Sequence, residues 1–168
     1  MSVNNKHKIV TFGEVMMRLS ASQYKRLTQA HQLDVCYGGT EANVSVALSH
    51  YGCESIHVTA LPNDFTGAAV KGYLNQYGVN TSYVSTSNSP LGLYFLEEGA
   101  SHRSSEIAYN RNHSAFANCN PADFKWEEIL KTADWFHWTG ITPAISKNTY
   151  LALKNALEQA KLQQVKVV

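Results

Sequence analysis

The stretch Tyr37-Gly38-Gly39-Thr40-Glu41-Ala42-Asn43 decides how this chain is read. Two adjacent glycines separate an extended run, 32–37, from a helical run over about 41–51. Glycine lets the backbone turn with φ > 0 and lets another group approach the main chain closely. The first turn of the helix that follows points free N–H groups back at the glycines. A polar ligand can be held there by backbone amides, with Thr40, Glu41 and Asn43 adding side-chain donors and acceptors. A plain strand-to-helix turn, with Asn43 tying it to the helix, has the same pattern, so the flanking sequence has to decide.

Upstream, 9–13 is a short apolar, β-branched run of the kind found in buried strands. Over 14–20, Val15, Met17 and Leu19 alternate with Met16, Arg18 and Ser20, as in a half-exposed strand that leaves a central sheet for a second, smaller one. The polar run 21–31 is a loop, and 33–37 returns as a strand into the Gly-Gly turn. Downstream, Val44, Ala47, Leu48 and Tyr51 predict one apolar stripe on the helix, which Gly52 stops. A buried strand is expected over 55–61. Pro62-Asn63-Asp64 is a turn in which Asp64 caps the next helix, whose apolar face carries Val70, Tyr73, Leu74 and Tyr77. Strand, helix, strand, helix predicts parallel βαβ units and a doubly wound α/β sheet.

Beyond that unit, 83–86 reads as a short strand. The β-like runs 92–97 and 104–110 form an antiparallel hairpin, and Ile107, Tyr109 and Arg111 share a face by their period of two. A short helix over 126–131 and a strand over 134–138 lead to a second turn, Thr139-Gly140-Ile141-Thr142-Pro143. The long helix after Ser146 places Tyr150, Leu153, Ala156, Leu157 and Ala160 on one side, and 165–168 begins a further buried strand.

With 168 residues, 44% hydrophobic and 16% charged, the chain suits one folded domain. A net charge of +1 with scattered basic residues provides no field for nucleic acid or an anionic membrane. Cys36, Cys53 and Cys119 are odd in number and widely spaced, which favours a reducing compartment over a disulfide framework. The seven histidines lack metal-ligand spacing. The polar start, 1–8, lacks the apolar core of a signal peptide, and no apolar run approaches the roughly 20 residues of a membrane span. The expected location is the cytoplasm.

Four segments together resemble the N-terminal half of the ribokinase-like (pfkB) carbohydrate kinases, most of all the 2-keto-3-deoxygluconate kinases. Gly38-Gly39-Thr40-Glu41-Ala42-Asn43-Val44-Ser45 resembles the GGxxxNxA signature. Leu61-Pro62-Asn63-Asp64-Phe65-Thr66-Gly67, with Gly78-Val79, resembles the DxxG…GV segment. Gly92-Leu93-Tyr94-Phe95 with Tyr109-Asn110-Arg111 resembles the sugar-acid kinase lid, and Thr139 to Ser146 the SGITPALS turn. The resemblance implies that 1–168 is the N-terminal part of a ribokinase-like domain, with a small β-lid built from about 14–20, 33–37 and 92–111. It implies transfer of the γ-phosphoryl group of ATP, with Mg, to a sugar hydroxyl, a reaction that asks mainly for positioning and electrostatic stabilisation.

By the same resemblance, Gly39, Thr40 and Asn43 lie against the sugar, Tyr94 and Tyr109 come from the lid, and Arg111 binds the carboxylate or keto end of an acidic sugar. A guanidinium suits that role through its planar fork and permanent charge. From the residues alone, Tyr94 and Tyr109 equally fit ordinary strand aromatics, and Arg111 a solvated charge. Asp64 is assigned as a helix cap. Glu14, near where related kinases carry an acidic sugar contact, is left out of the site because its register is open. His113 and Ser114 lack a third partner for nucleophilic chemistry.

In the family resembled, the catalytic Asp belongs to a Gly-Ala-Gly-Asp segment of the C-terminal half, which also carries the ATP site. No such segment and no GxxxxGK[ST] occurs here. The expectation is therefore a truncated fold with no catalytic residue of its own, no nucleotide site and no activity alone. Its apolar last strand would drive self-association or completion by a separate C-terminal chain, and a homodimer through the lid is the other pairing implied. Three functions fit: the sugar-binding half of such a kinase, a non-catalytic sugar-acid-binding or interaction module, or a dinucleotide-binding enzyme. The last is disfavoured because no GxGxxG follows the first strand.

Overall fold

The computed structural model describes residues 6–168, so the polar start over 1–5 lies outside the described residues. In chain order the strands are β1 (Lys8–Phe12), β2 (Met16–Ser20), β3 (Asp34–Gly38), β4 (Glu54–Val58), β5 (Ala60–Pro62), β6 (Ser85–Ser87), β7 (Leu93–Glu97), β8 (Glu106–Asn110), β9 (Trp135–His137) and β10 (Lys166–Val167). The helices are α1 (Thr40–His50), α2 (Phe65–Gln76), α3 (Trp126–Leu130), α4 (Ile141–Ile145) and α5 (Lys147–Leu162), with 3-10 turns at Leu27–Gln29 and Pro121–Asp123.

The central sheet has the order β10-β9-β1-β4, and all its pairings are parallel. Its strands are short and apolar because helices cover both faces. Val10, Phe12, Val58 and Phe136 have no exposure at all. Phe12 is the hub of the larger core, with the rings of Phe116, Phe124 and Trp126 at 5.2, 5.2 and 5.0 Å. α5 closes one side through Ala152, Leu153, Ala156 and Ala160.

A second sheet stands apart, in the order β3-β2-β7-β8. β2 pairs antiparallel with β3 and parallel with β7, and β7 with β8 forms the antiparallel hairpin. The expected lid therefore exists, with Glu14 and Val15 in the connection before β2 rather than in the strand itself. Its base rests on a smaller core in which Val15, Ala42, Leu61, Val70, Leu74, Val79 and Leu91 pack together.

Three local expectations need correction. The single strand over 55–61 is two, because the chain steps out of the central sheet at Thr59 and pairs 60–62 with β6. The strand expected over 83–86 is displaced to that pairing. The stripe Val44, Ala47, Leu48, Tyr51 is not the buried face of α1: Ala47 is exposed, and Tyr51 just beyond the helix is 86% exposed. The buried residues are Glu41, Ala42 and Ser45. α1 lies on β1 and β4 through small and polar side chains, and Ser45 Oγ meets Ser55 Oγ at 2.7 Å.

Candidate functional site

β3 delivers Gly38 and Gly39 to the start of α1, and Asn43 N–H donates to the Gly39 carbonyl at 2.8 Å. Neither glycine uses positive φ; Gly39 is extended, at φ −174° and ψ 147°. Close approach explains the residue instead, because a Cβ on Gly39 would fall on the carbonyl oxygen of Glu14. That neighbour is main chain and cannot swing aside. The β1–β2 connection thus lies directly against the turn.

The open side of the turn faces the lid. A Cβ on Gly38 would be 3.7 Å from Tyr94 Oη and 3.9 Å from Asn43 Oδ1. Tyr94 on β7 pairs in register with Tyr109 on β8, and their rings are 5.8 Å apart. The Arg111 guanidinium carbon lies 5.8 Å from the Tyr109 ring centroid. Proximities thus run from the glycine turn and Asn43 through Tyr94 and Tyr109 to Arg111. Thr40, at the first position of α1, is exposed. Glu41 points into the body of the fold. Its Oε1 accepts from Thr139 N–H at 3.1 Å, Thr139 Oγ1 at 2.7 Å and Thr142 Oγ1 at 2.8 Å. It is a buried bolt between α1 and the Thr139–Thr142 turn, not a ligand-facing acceptor.

Arg111 is not a solvated charge: its side chain is 16% exposed and its Nη2 lies 2.5 Å from Oε2 of Glu14, which is 3% exposed. Ser114 Oγ donates to Glu14 Oε1 at 2.5 Å. Burial pushes the Glu14 carboxyl above the usual carboxylate range, opposed by the Ser114 hydrogen bond and the Arg111 charge. Gly92 leaves the room, since a Cβ there would be 2.6 Å from Glu14 Oε1. Ser114 therefore has a carboxylate partner, and Glu14, set aside because its register was open, could not be placed from sequence since its partners are far along the chain. A second guanidinium was also missed. Arg18 stands in register with Cys36 and Tyr94, on the row that Tyr109 continues. Its buried Nε has no hydrogen-bond partner among the described residues, nor has that of Arg111.

A large cleft, about 1340 Å³, is elsewhere, between α3 and α5. It is a shallow groove whose rim mixes Lys125, Glu127, Glu128 and Lys131. None of the residues gathered at the turn lines it. Among the described residues no group of three or more His, Cys, Asp or Glu side chains converges as a metal site, and no helix is long and apolar enough to cross a membrane.

A parallel α/β body, a four-stranded lid and a Gly-Gly turn facing it define the ribokinase-like class of folds. The 2-dehydro-3-deoxygluconokinase of Thermotoga maritima superimposes with a TM-score of 0.94 at 46% identity, over 96% of this chain and 49% of that one. The 2-dehydro-3-deoxygalactonokinase of Haloferax volcanii is 33% identical over 83% of this chain and 44% of its own length. The 2-dehydro-3-deoxygluconokinase of Thermoproteus tenax is 28% identical over 91% and 47%. The model of the pfkB family of carbohydrate kinases matches residues 6–168, and the chain belongs to that family. It spans about half the length of the curated relatives it matches.

Proposed function

We propose that this chain is the sugar-binding half of an ATP-dependent carbohydrate kinase acting on 2-keto-3-deoxygluconate. One observation carries the choice of an acidic sugar: a guanidinium, Arg111, is sequestered beside Tyr109 and the glycine turn, with its buried Nε unpartnered among the described residues. A buried donor without a partner is costly, and a ligand carboxylate would satisfy it. The Asn43 carboxamide and the Tyr94 hydroxyl, both near Gly38, supply neutral partners for hydroxyl and keto oxygens. The names of the relatives above, kinases of 2-keto-3-deoxy sugar acids, support the same substrate class. Gly39 would offer backbone, Thr40 its hydroxyl, and Tyr109 the wall against which Arg111 lies.

Phosphoryl transfer belongs, in this proposal, to a C-terminal half that brings ATP, Mg and the catalytic base. Asp64 accepts from the first amides of α2 and Ser146 from those of α5, so two of the helix ends that phosphates favour are already taken, while the uncapped start of α1 faces the lid. The open edge of β10, where Val167 and Val168 are 45% and 62% exposed, offers that half a strand to pair with. Without it, the same residues would serve as a sugar-acid-binding module. Free thiols at Cys36, Cys53 and Cys119 support a cytoplasmic setting.

Calorimetric titration with 2-keto-3-deoxygluconate tests the function. Arg111→Ala should weaken binding by roughly 1.5–3 kcal/mol, the range for a hydrogen bond to a charged group. Equal affinity of the two proteins would refute an acid-binding role for this site.

A further inference from the structure

The residue that ties the site together is one the sequence left out. Glu14 meets the glycine turn with its backbone and the lid with its side chain. Its carbonyl oxygen fills the space that a Cβ on Gly39 would need. Its carboxylate receives Arg111 on Oε2 and Ser114 on Oε1. We propose that Glu14 is a positioning residue: it holds the Arg111 guanidinium over the glycine turn, in the orientation that receives a sugar carboxylate, and so sets the preference for acidic over neutral sugars. The inference rests on the sugar-acid function proposed for the site.

Three features support orientation over simple stability. First, a buried ion pair is a weak stabilising device, because desolvating both charges offsets most of their attraction. Glu14 is 3% exposed and Arg111 16%, so this pair carries that cost. Second, the carboxylate is itself held on both sides. Ser114 Oγ fixes Oε1, and Ser114 is fixed in turn by the Ala117 N–H that donates to it at 3.1 Å. Gly92 supplies the space that lets the carboxylate stand there. Third, the pair does not use up the fork. Contact is through Nη2, while the buried Nε has no partner among the described residues.

Arg111 follows edge strand β8, whose residues are exposed along its length. A long side chain leaving such an edge would otherwise sample many rotamers, and fixing them at binding costs affinity. Glu14 removes that freedom beforehand. Its negative charge also repels a ligand carboxylate, so the inference requires the orienting effect to exceed the repulsion. That requirement gives the sign of the test.

The experiment titrates 2-keto-3-deoxygluconate and a neutral ketose, fructose, into the full chain and into Glu14→Gln, Ser114→Ala and Arg111→Ala. Glu14→Gln keeps shape and an oxygen for Ser114 but removes the charge. It should lower affinity for the acid about tenfold, the equivalent of one oriented interaction, and change that for fructose less than about twofold. Ser114→Ala, which leaves the charge but loosens it, should show the same preference more weakly. Adding Glu14→Gln to Arg111→Ala should cost nothing more. A side-chain ¹⁵N spectrum of the free chain gives a readout without sugar: the Arg111 Nε–H signal should be sharp in the parent and lost to motion and exchange in Glu14→Gln.

Unchanged or improved acid affinity in Glu14→Gln, with Arg111→Ala still damaging, would overturn the positioning role and leave the sugar-acid function standing. Equal losses for acid and fructose would also overturn it, reducing Glu14 to a structural group. If Arg111→Ala has no effect on the acid, the function itself fails, and the proposed preference falls with it. Should Glu14→Gln not fold, Ser114→Ala decides by the same acid-against-fructose comparison.

Discussion

His57 sits in β4 with no exposure, its Nδ1 2.7 Å from Thr11 Oγ1 and its Nε2 without a partner among the described residues. Burial pushes its pKa down to about 3, so the imidazole is neutral in the fold. In the unfolded chain it takes up a proton near its ordinary 6.5. Between these values the unfolded state binds more protons, so this contribution is whole above pH 6.5 and lost as pH falls toward 3. The slope is about 1.4 kcal/mol per pH unit. Urea unfolding at pH 7 and pH 5 should show the parent losing about 2 kcal/mol more than His57→Gln over that interval; equal losses would mean His57 is protonated in the fold. Glu14 works in the opposite sense, since its raised carboxyl favours the fold as pH falls toward 4.5, but it is present in both proteins and cancels. At this scale the sequence was legible where a residue's role depends on its own strand: Tyr109 and Arg111 could be placed on one lid face. Glu14 was not, because Ser114 is 100 residues away and nothing local marks the pair.

Among the elements, caps were more legible than faces. The long helix was expected to follow Ser146, and α5 begins there, with Thr149 N–H donating to Ser146 Oγ at 3.1 Å. The hydroxyl also donates to the Ala117 carbonyl at 2.7 Å, joining the helix to the segment after Ser114. Ser146→Ala should cost about 1–2 kcal/mol, read as a lower urea midpoint at unchanged slope. An unchanged midpoint would mean that water replaces both bonds. Faces were harder. The apolar pattern picked Tyr150 for the buried side of α5, yet it is 53% exposed while Thr149 is fully buried as part of the cap. On α1 the error had the same origin. Hydrophobic periodicity assumes that apolar side chains make the contact, but α1 meets the sheet through Ala42, Ser45 and a hydrogen-bonded Glu41. The buried hydrogen bonds that make this acceptable have partners on other elements and leave no mark in the local pattern.

For the whole molecule, the order of strands and helices along the chain was legible, and so was the hairpin as something apart from the body. The pairing between distant segments was not. β1 lies between β4 and β9, and β2 lies between β3, which it meets antiparallel, and β7, which it meets in parallel, arrangements fixed by packing rather than by any stretch of sequence. That β2–β7 pairing brings Tyr94 over the glycine turn, and through β8 it brings Arg111 to Glu14. The candidate site is thus a product of the second sheet standing over the first, and none of its residues lines the large groove between α3 and α5. The most direct test is an amide ¹H–¹⁵N map of the labelled chain during titration with 2-keto-3-deoxygluconate. Shifts should centre on Gly38, Gly39, Asn43, Tyr94, Tyr109 and Arg111, with Lys131, Gln159 and Gln163 of the groove unmoved. Shifts centred on that groove, or none at saturating sugar, would contradict the account.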